Sequence, residues 1–182
     1  MVKRTAVVVM GVAGSGKTSI AQELAGQLGW VLAEADQFHS AANIAKMSAG
    51  VPLDDEDRIP WLISIRDWID ATDGDVVVTC SALRRRYRDL RSSAAARVRF
   101  LHLDGSVAVL TSRINGQNGH FMPPTLLTSQ LATLEPLGPD EDGVVVDVDA
   151  PVAVIVARAL TALELSRPAG PVTTRGPTKG TP

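Results

Sequence analysis

The chain has 182 residues, of which 45% are hydrophobic and 21% are charged, as in an ordinary globular protein of one domain. Its net charge of -2 argues against a general nucleic-acid binder, because such proteins usually carry an excess of basic residues. One cysteine excludes an internal disulfide, and no apolar stretch is long enough to span a membrane, so we expect a cytoplasmic protein.

Short apolar, β-branched segments alternate with segments of helical periodicity along most of the chain. In chain order the predicted elements are strand 5–10, helix 18–29, strand 30–36, helix 40–50, helix 60–71, strand 75–82, helix 84–95, strand 98–105, helix 106–115, helix 125–134, strand 143–149 and helix 151–165. This alternation predicts an α/β fold in which helices cover both faces of a parallel sheet. Residues 51–59 form a polar loop in this interpretation, and Pro60 occupies the first turn of the helix that follows.

The C-terminal segment 167–182 has a different composition from the rest of the chain. It is rich in proline, glycine and threonine and shows no periodicity, which predicts a disordered tail. We therefore expect a single domain over residues 1–166.

The sequence GVAGSGKTS follows the first strand and fits the pattern G-x-x-x-x-G-K-[ST] of a phosphate-binding loop. Its glycines let successive N–H groups point inward, and the following helix adds the positive end of its dipole. We expect Lys17 to reach the β- and γ-phosphates of a nucleoside triphosphate and Thr18 to offer its hydroxyl to Mg²⁺. The predicted phosphate-binding residues are Gly11, Val12, Ala13, Gly14, Ser15, Gly16, Lys17, Thr18 and Ser19.

The loop identifies the phosphoryl donor but leaves the acceptor open between water, a nucleotide and a small molecule. No N-K-x-D guanine signature is present, and the chain is short for a motor or helicase, so a compact kinase is the better interpretation. In a parallel sheet the carboxyl ends of the strands face one crevice, which places Asp36 and His39, at the end of the second strand, beside the loop.

Three further motifs, DRIPWL, CSALRRRYRD and GHFMP followed by LLTSQ, occur in order after the loop. With them, Met10–Asp149 closely resembles the gluconokinase family of small P-loop kinases. The resemblance implies a nucleoside-monophosphate-kinase-like fold with a five-stranded parallel sheet and a lid at about 114–134. It also implies ATP, Mg²⁺, the acceptor D-gluconate, the product 6-phosphogluconate of the pentose phosphate route and, in many members, a homodimer.

The sequence departs from the family pattern at three positions. Ala35 replaces the usual glycine, Ser40 replaces a proline, and Gln117 stands where the lid usually carries a second basic residue. Gln117 lacks the positive charge that could stabilise the transferring phosphoryl group, so we expect this change to affect the rate of the reaction.

The expected chemistry assigns further roles. Asp36 is the candidate base, although an aspartate at such a boundary also commonly caps a helix. A carboxylate substrate favours an arginine fork, which the DRIPW and RRRYRD motifs supply, although a basic run can also be a solvated helix face. The predicted acceptor-binding residues are Asp36, His39, Lys46, Arg58, Arg84, Arg88 and His120.

On the nucleotide side, we expect Arg113 to approach the β- and γ-phosphates from the helix that enters the lid, and count it with Lys17 and Asp36 as catalytic. Asp149 and Pro151 follow the last strand, where related kinases pass their backbone around adenine. Two alternatives remain: a kinase of another small acid such as shikimate, and a nucleotide-binding protein that has lost catalysis.

Overall fold

The computed structural model describes residues 3–92, 94–116 and 124–166. The strands are β1 (Thr5–Met10), β2 (Val31–Glu34), β3 (Val76–Thr79), β4 (Arg97–Asp104) and β5 (Gly143–Asp147). The helices are α1 (Lys17–Leu28), α2 (Ala41–Ser48), α3 (Asp55–Ala71), α4 (Arg85–Ser92), α5 (Val107–Gly116), α6 (Pro124–Thr133) and α7 (Val152–Ala162). Among these helices none has the length and apolar character needed to cross a bilayer.

The five strands form one parallel sheet in the order β2-β3-β1-β4-β5. β1 lies at its centre, and its residues Ala6–Met10 are completely buried because helices cover both faces. Val7 and Val9 pack toward α1, α5, α6 and α7, whereas Ala6, Val8 and Met10 pack toward α3 and α4. The predicted α/β fold with a five-stranded parallel sheet between two helical layers is confirmed.

The beginning of α3 differs from the prediction. The helix starts at Asp55 and not at Pro60, because Asp54 and Asp57 form a capping box in which each side chain accepts a backbone N–H of the other. Pro60 is therefore an interior residue of α3, where it removes one helical hydrogen bond. The predicted start of α2 agrees, since Ser40 caps it by accepting from the Asn43 N–H at 3.1 Å.

Parallel pairing brings the loops after β1, β2 and β3 to one edge of the sheet. The Cys80 N–H donates to the Val9 carbonyl at 3.0 Å, and the Gly11 N–H donates to the Ser81 carbonyl at 3.4 Å. Residues 35–38 continue β2 as a short 3-10 turn. The phosphate loop therefore adjoins the loop after β3, and the turn after β2 leaves the same edge of the sheet.

Arg88 of α4 is completely buried, which corrects its assignment to the acceptor site. Its Nε donates to Glu141 Oε1 at 2.6 Å, and its Nη1 donates to the carbonyls of Ala82 at 3.0 Å and Glu135 at 3.1 Å. These bonds tie α4 and the loop after β3 to the segment between α6 and β5. Ala82 has a left-handed φ of 48°, and its carbonyl is held in place by this arginine.

The carboxyl group of Glu141 depends on this partner. Burial by itself would raise the pKa of Glu141, but hydrogen bonds from Arg88 and from the Gly138 N–H bring it below the usual range. A neighbouring pair, Arg85 with Asp140 at 2.5 Å, lies at the surface, with side chains 43% and 62% exposed. Only the first pair holds charge away from water.

We predict that Arg88→Met lowers the free energy of unfolding by about 3–5 kcal/mol, because it leaves the Glu141 carboxylate buried without a cation. Urea denaturation measures the change. The matched control is Arg85→Ala, which breaks an exposed ion pair and should have a much smaller effect. A loss in Arg88→Met no larger than that of the control would contradict the structural role of the buried pair.

Candidate active site

The phosphate loop requires glycine at Gly11, where φ is +147°, and at Gly14 and Gly16. Gly14 has φ +77°, and a Cβ there would lie 2.7 Å from the Leu110 carbonyl oxygen. Gly16 has φ +86° and faces Arg113, whose Nη1 would lie 3.1 Å from such a Cβ. These left-handed conformations turn the backbone around Lys17, whose Nζ donates to the carbonyls of Gly11 and Val12 at 3.0 and 3.1 Å.

A cavity of about 290 Å³ opens beside this loop, and we call it the phosphate cavity. Lys17, Thr18, Glu34, Asp36 and Gln130 are among the residues that line it. Burial lowers the pKa of Lys17, while the nearby acidic groups act against that shift. A partly desolvated ammonium group is well suited to an anionic ligand, because the anion replaces the lost hydration.

Glu34 ends β2 and points an unused oxygen into this region. Its Oε2 accepts from the hydroxyls of Thr79 and, at 3.4 Å, Thr18, while its Oε1 is buried without a partner among the described residues. A buried carboxylate oxygen beside a threonine hydroxyl matches the oxygen ligands that Mg²⁺ prefers. The residues present therefore fit the predicted metal at Thr18 and add Glu34 to it.

A second cavity of about 600 Å³, the acceptor cavity, is lined by residues that include Asp36, His39, Arg58, Trp61 and Ser81. Asp36, Trp61 and Ser81 line both cavities, so the two spaces adjoin at these side chains. The Asp36 carboxylate is 95% exposed and therefore accessible to a ligand in the crevice.

His39 is held in one orientation against the wall of the acceptor cavity. Its ring stacks on Trp61 with centroids 4.3 Å apart, and the Trp61 indole N–H donates to the Ala35 carbonyl at 2.7 Å. The Asn43 amide lies 3.4 Å from His39 Nδ1, and the Asp36 carboxylate lies 3.9 Å from Nε2. With Asn43 donating to Nδ1, the neutral ring carries its proton on Nε2, the nitrogen that faces Asp36.

Arg58 brings a positive charge to the same cavity from the second turn of α3. Its Nε donates to the Leu53 carbonyl at 3.1 Å, and its guanidinium lies 5.8 Å from the centre of the Tyr87 ring. Tyr87 is fixed in turn because its hydroxyl donates to Asp55 at 2.6 Å. The remaining N–H groups of Arg58 can bind a carboxylate in the cavity.

Three predicted acceptor residues lie outside the lining of both cavities. Lys46 is paired with Asp57 at 2.6 Å, and this hydrogen bond raises the pKa of Lys46. Arg84 stands just before α4, where its charge acts on Asp55, and Arg88 is the buried arginine described above. His120 and Gln117, with part of the expected lid, lie outside the described residues, as does the predicted tail.

Arg113 links the phosphate loop to the loop after β5. Besides facing Gly16, its Nη2 donates to the carbonyls of Val148 and Ala150. Asp149 and Pro151 belong to this same loop, and both are exposed. Their contact with a nucleotide stays a prediction, now with a structural link to the phosphate loop.

Comparisons with known proteins agree with this geometry. The sequence model of the family described as shikimate kinase matches residues 13–134. The gluconokinase of Gluconobacter oxydans is 49% identical over 139 residues, which are 74% of this chain and 78% of that protein. A crystal structure of a gluconokinase from Sinorhizobium meliloti has a TM-score of 0.80 and 46% identity, covering 90% of this chain and 94% of that one. The chain belongs to the gluconokinase family.

Other gluconokinases extend the similarity to animals. The probable gluconokinase of Rattus norvegicus is 42% identical over 179 residues, which cover 87% of this chain and 97% of that protein. Membership confirms the resemblance drawn from the sequence motifs, and it confirms a kinase with the P-loop fold.

Some residues of the site were missed or undervalued in the sequence. Glu34 directly precedes Ala35 and Asp36, and its acidic side chain at a strand end was the available signal. Ser81 lies within the CSAL motif, and Gln130 lies within LLTSQ, but no spacing rule singles out either one. Contact across distant segments was needed to find them.

We predict that His39 makes stability depend on pH. Burial lowers the pKa of His39 below its ordinary value of 6.5, so the unfolded chain takes up the proton first as pH falls. The stability from the neutral ring is present above a pH of about 6.5 and is lost as pH falls through the folded pKa. Urea titrations at about pH 7.5 and 5.5 should show a smaller loss in His39→Gln than in the wild type.

His102 supplies the comparison, because burial also lowers the pKa of this imidazole, away from the crevice in β4. His102→Gln should also reduce the loss of stability at low pH, independently of His39→Gln. If His39→Gln leaves the dependence on pH unchanged, the neutral, desolvated state of His39 is wrong.

Proposed function

We propose that this chain catalyses the ATP-dependent phosphorylation of D-gluconate to 6-phospho-D-gluconate. The single observation that carries the proposal is that Asp36 lies where the phosphate cavity and the acceptor cavity meet. A donor held at Lys17 and a carboxylate held at Arg58 would have the accessible Asp36 between them. The names of the relatives support gluconate as the acid that occupies the second cavity.

The acceptor chemistry follows from the residues around the second cavity. Arg58 binds the gluconate carboxylate, and the His39 Nε2–H donates to a hydroxyl along the chain of the sugar acid. This leaves the hydroxyl at the far end, on C6, beside Asp36. The length and polarity of an open-chain sugar acid therefore suit a site with a cation at one end and an acid at the other.

Transfer then needs positioning and charge neutralisation more than covalent chemistry. Asp36 accepts the proton of the C6 hydroxyl while the C6 oxygen forms a bond to the γ-phosphorus of ATP. The bond from that phosphorus to the bridging oxygen breaks, and ADP leaves with the electron pair. Lys17 and the backbone N–H groups of the loop offset the charge on the phosphates, and Arg113, which faces Gly16, adds a further positive charge.

Mg²⁺ is the expected metal of this reaction, and Thr18 and Glu34 are the residues that would hold it. When bound, it would neutralise charge on the β- and γ-phosphates. The cytoplasmic location, the homodimer and the lid, all expected from the sequence, stay predictions.

The first test is turnover with purified protein. With Mg-ATP and millimolar gluconate, we expect ADP release that depends on the acid, measured by coupling to pyruvate kinase and lactate dehydrogenase. Coupling to 6-phosphogluconate dehydrogenase then identifies the product made from gluconate. Lys17→Ala should lose most of kcat, and Asp36→Asn should lose about 100- to 10,000-fold, because it removes the base but keeps the shape. Shikimate in place of gluconate serves as the competing acceptor.

No turnover above background with gluconate would overturn the proposal, and preferential turnover of shikimate would replace the substrate. Binding of ATP without turnover of any acid would favour the non-catalytic alternative. An active Asp36→Asn would remove only the base assignment.

A second prediction concerns the carboxylate. Arg58→Ala should raise KM for gluconate by about 10- to 100-fold with a smaller effect on KM for ATP, because it removes a charged hydrogen bond to the acceptor alone. The matched control is Arg86→Ala, since the Arg86 guanidinium also lies against the Tyr87 ring, 5.2 Å from its centre, but does not line the acceptor cavity. Equal KM values for gluconate in the two variants would exclude Arg58 as the carboxylate ligand.

A further inference from the structure

Gln130 of α6 reaches from outside the phosphate loop to one of its backbone N–H groups. Its side-chain oxygen Oε1 accepts a hydrogen bond from the Ala13 N–H at 2.7 Å. Ala13 and Gln130 both line the phosphate cavity, together with Lys17 and Asp36. The contact therefore lies beside the place where the transferred phosphoryl group would be.

The direction of the Gln130 amide follows from its partner. A backbone N–H can only donate, so the oxygen of the amide must face Ala13 and the NH₂ group must point elsewhere. Within the described residues this Nε2 makes no hydrogen bond. A half-buried amide with its acceptor in use and its donor unused is suited to an anion in the adjoining cavity.

We propose that Gln130 is a further catalytic residue, whose Nε2–H donates to the transferred phosphoryl group while Oε1 holds the phosphate loop at Ala13. This inference rests on the proposed kinase function and adds a residue to the same site. During transfer the charge spreads over the three equatorial oxygens of the phosphoryl group, and a fixed neutral donor stabilises it without attracting a counterion. Gln130 lies on α6, within the segment predicted from the sequence to form the lid.

Two substitutions separate the two halves of the amide. Gln130→Ala removes both the acceptor and the donor. Gln130→Glu keeps an oxygen for the Ala13 N–H but replaces the donor with a negative charge that repels phosphate. We expect both variants to lose about 10- to 1,000-fold in kcat, with Gln130→Glu at least as impaired as Gln130→Ala.

The controls come from exposed residues of the same chain. Ser129→Ala changes the exposed neighbour on α6, and Gln22→Ala removes an exposed glutamine from α1. Both should keep wild-type kcat. A circular-dichroism melt of each variant shows that it is folded, and the isosteric Gln130→Glu guards against a loss of packing in Gln130→Ala.

A binding measurement tests the contact without turnover. Isothermal titration compares ADP with a β,γ-imido analogue of ATP, which differ by the terminal phosphoryl group. Gln130→Ala should weaken the analogue by about 5- to 20-fold and leave ADP nearly unchanged, because only the analogue carries the group that Nε2 contacts.

Each result of these experiments either supports or overturns the role of Gln130. A Gln130→Glu enzyme with near-wild-type kcat would overturn the proposal and leave Gln130 as a brace of the loop. Equal weakening of ADP and the analogue would overturn it in the same way. A wild type that fails to phosphorylate gluconate, with a selective loss of analogue binding in Gln130→Ala, would refute the acceptor and retain the Gln130 contact.

Discussion

Parallel pairing of β1 with β3, and of β3 with β2, is the constraint on which the site depends. Because these strands run in one direction, their carboxyl ends leave the sheet at one edge, and the loops that follow must share that edge. The hydrogen bond from the Gly11 N–H to the Ser81 carbonyl joins two of the loops directly. The phosphate loop, Asp36 and the lining of the acceptor cavity are therefore neighbours in space, although they come from different segments of the sequence.

The residues at this edge of the sheet differ in how far they are buried, and their expected roles differ accordingly. Lys17 is held among backbone carbonyls and desolvated, whereas Asp36 is open to the crevice. His39 is fixed between Asn43 and the Trp61 ring, so that only one of its nitrogens faces the ligand space. Rigid supports around accessible groups are what positioning of a phosphoryl transfer requires.

Local patterns predicted most of the fold but not the roles of side chains that act over long distances. The bounds of β1 agree with its apolar run, because a central strand is covered on both faces and every one of its side chains must be apolar or small. The start of α3 was wrong because acidic residues read as polar loop form a capping box. Arg88 was misassigned because helix-face spacing cannot reveal Glu141, and Gln130 was missed because its partner in the phosphate loop is equally remote in sequence.

The central claim is that donor and acceptor meet at Asp36, and a crystal structure of the protein with gluconate, ADP, Mg²⁺ and aluminium fluoride tests it most directly. We predict the gluconate carboxylate on Arg58 and the C6 oxygen within about 3 Å of Asp36, in line with the fluoride complex beside Lys17. Gluconate bound away from the acceptor cavity, or with its C6 hydroxyl pointing away from Asp36, would contradict it.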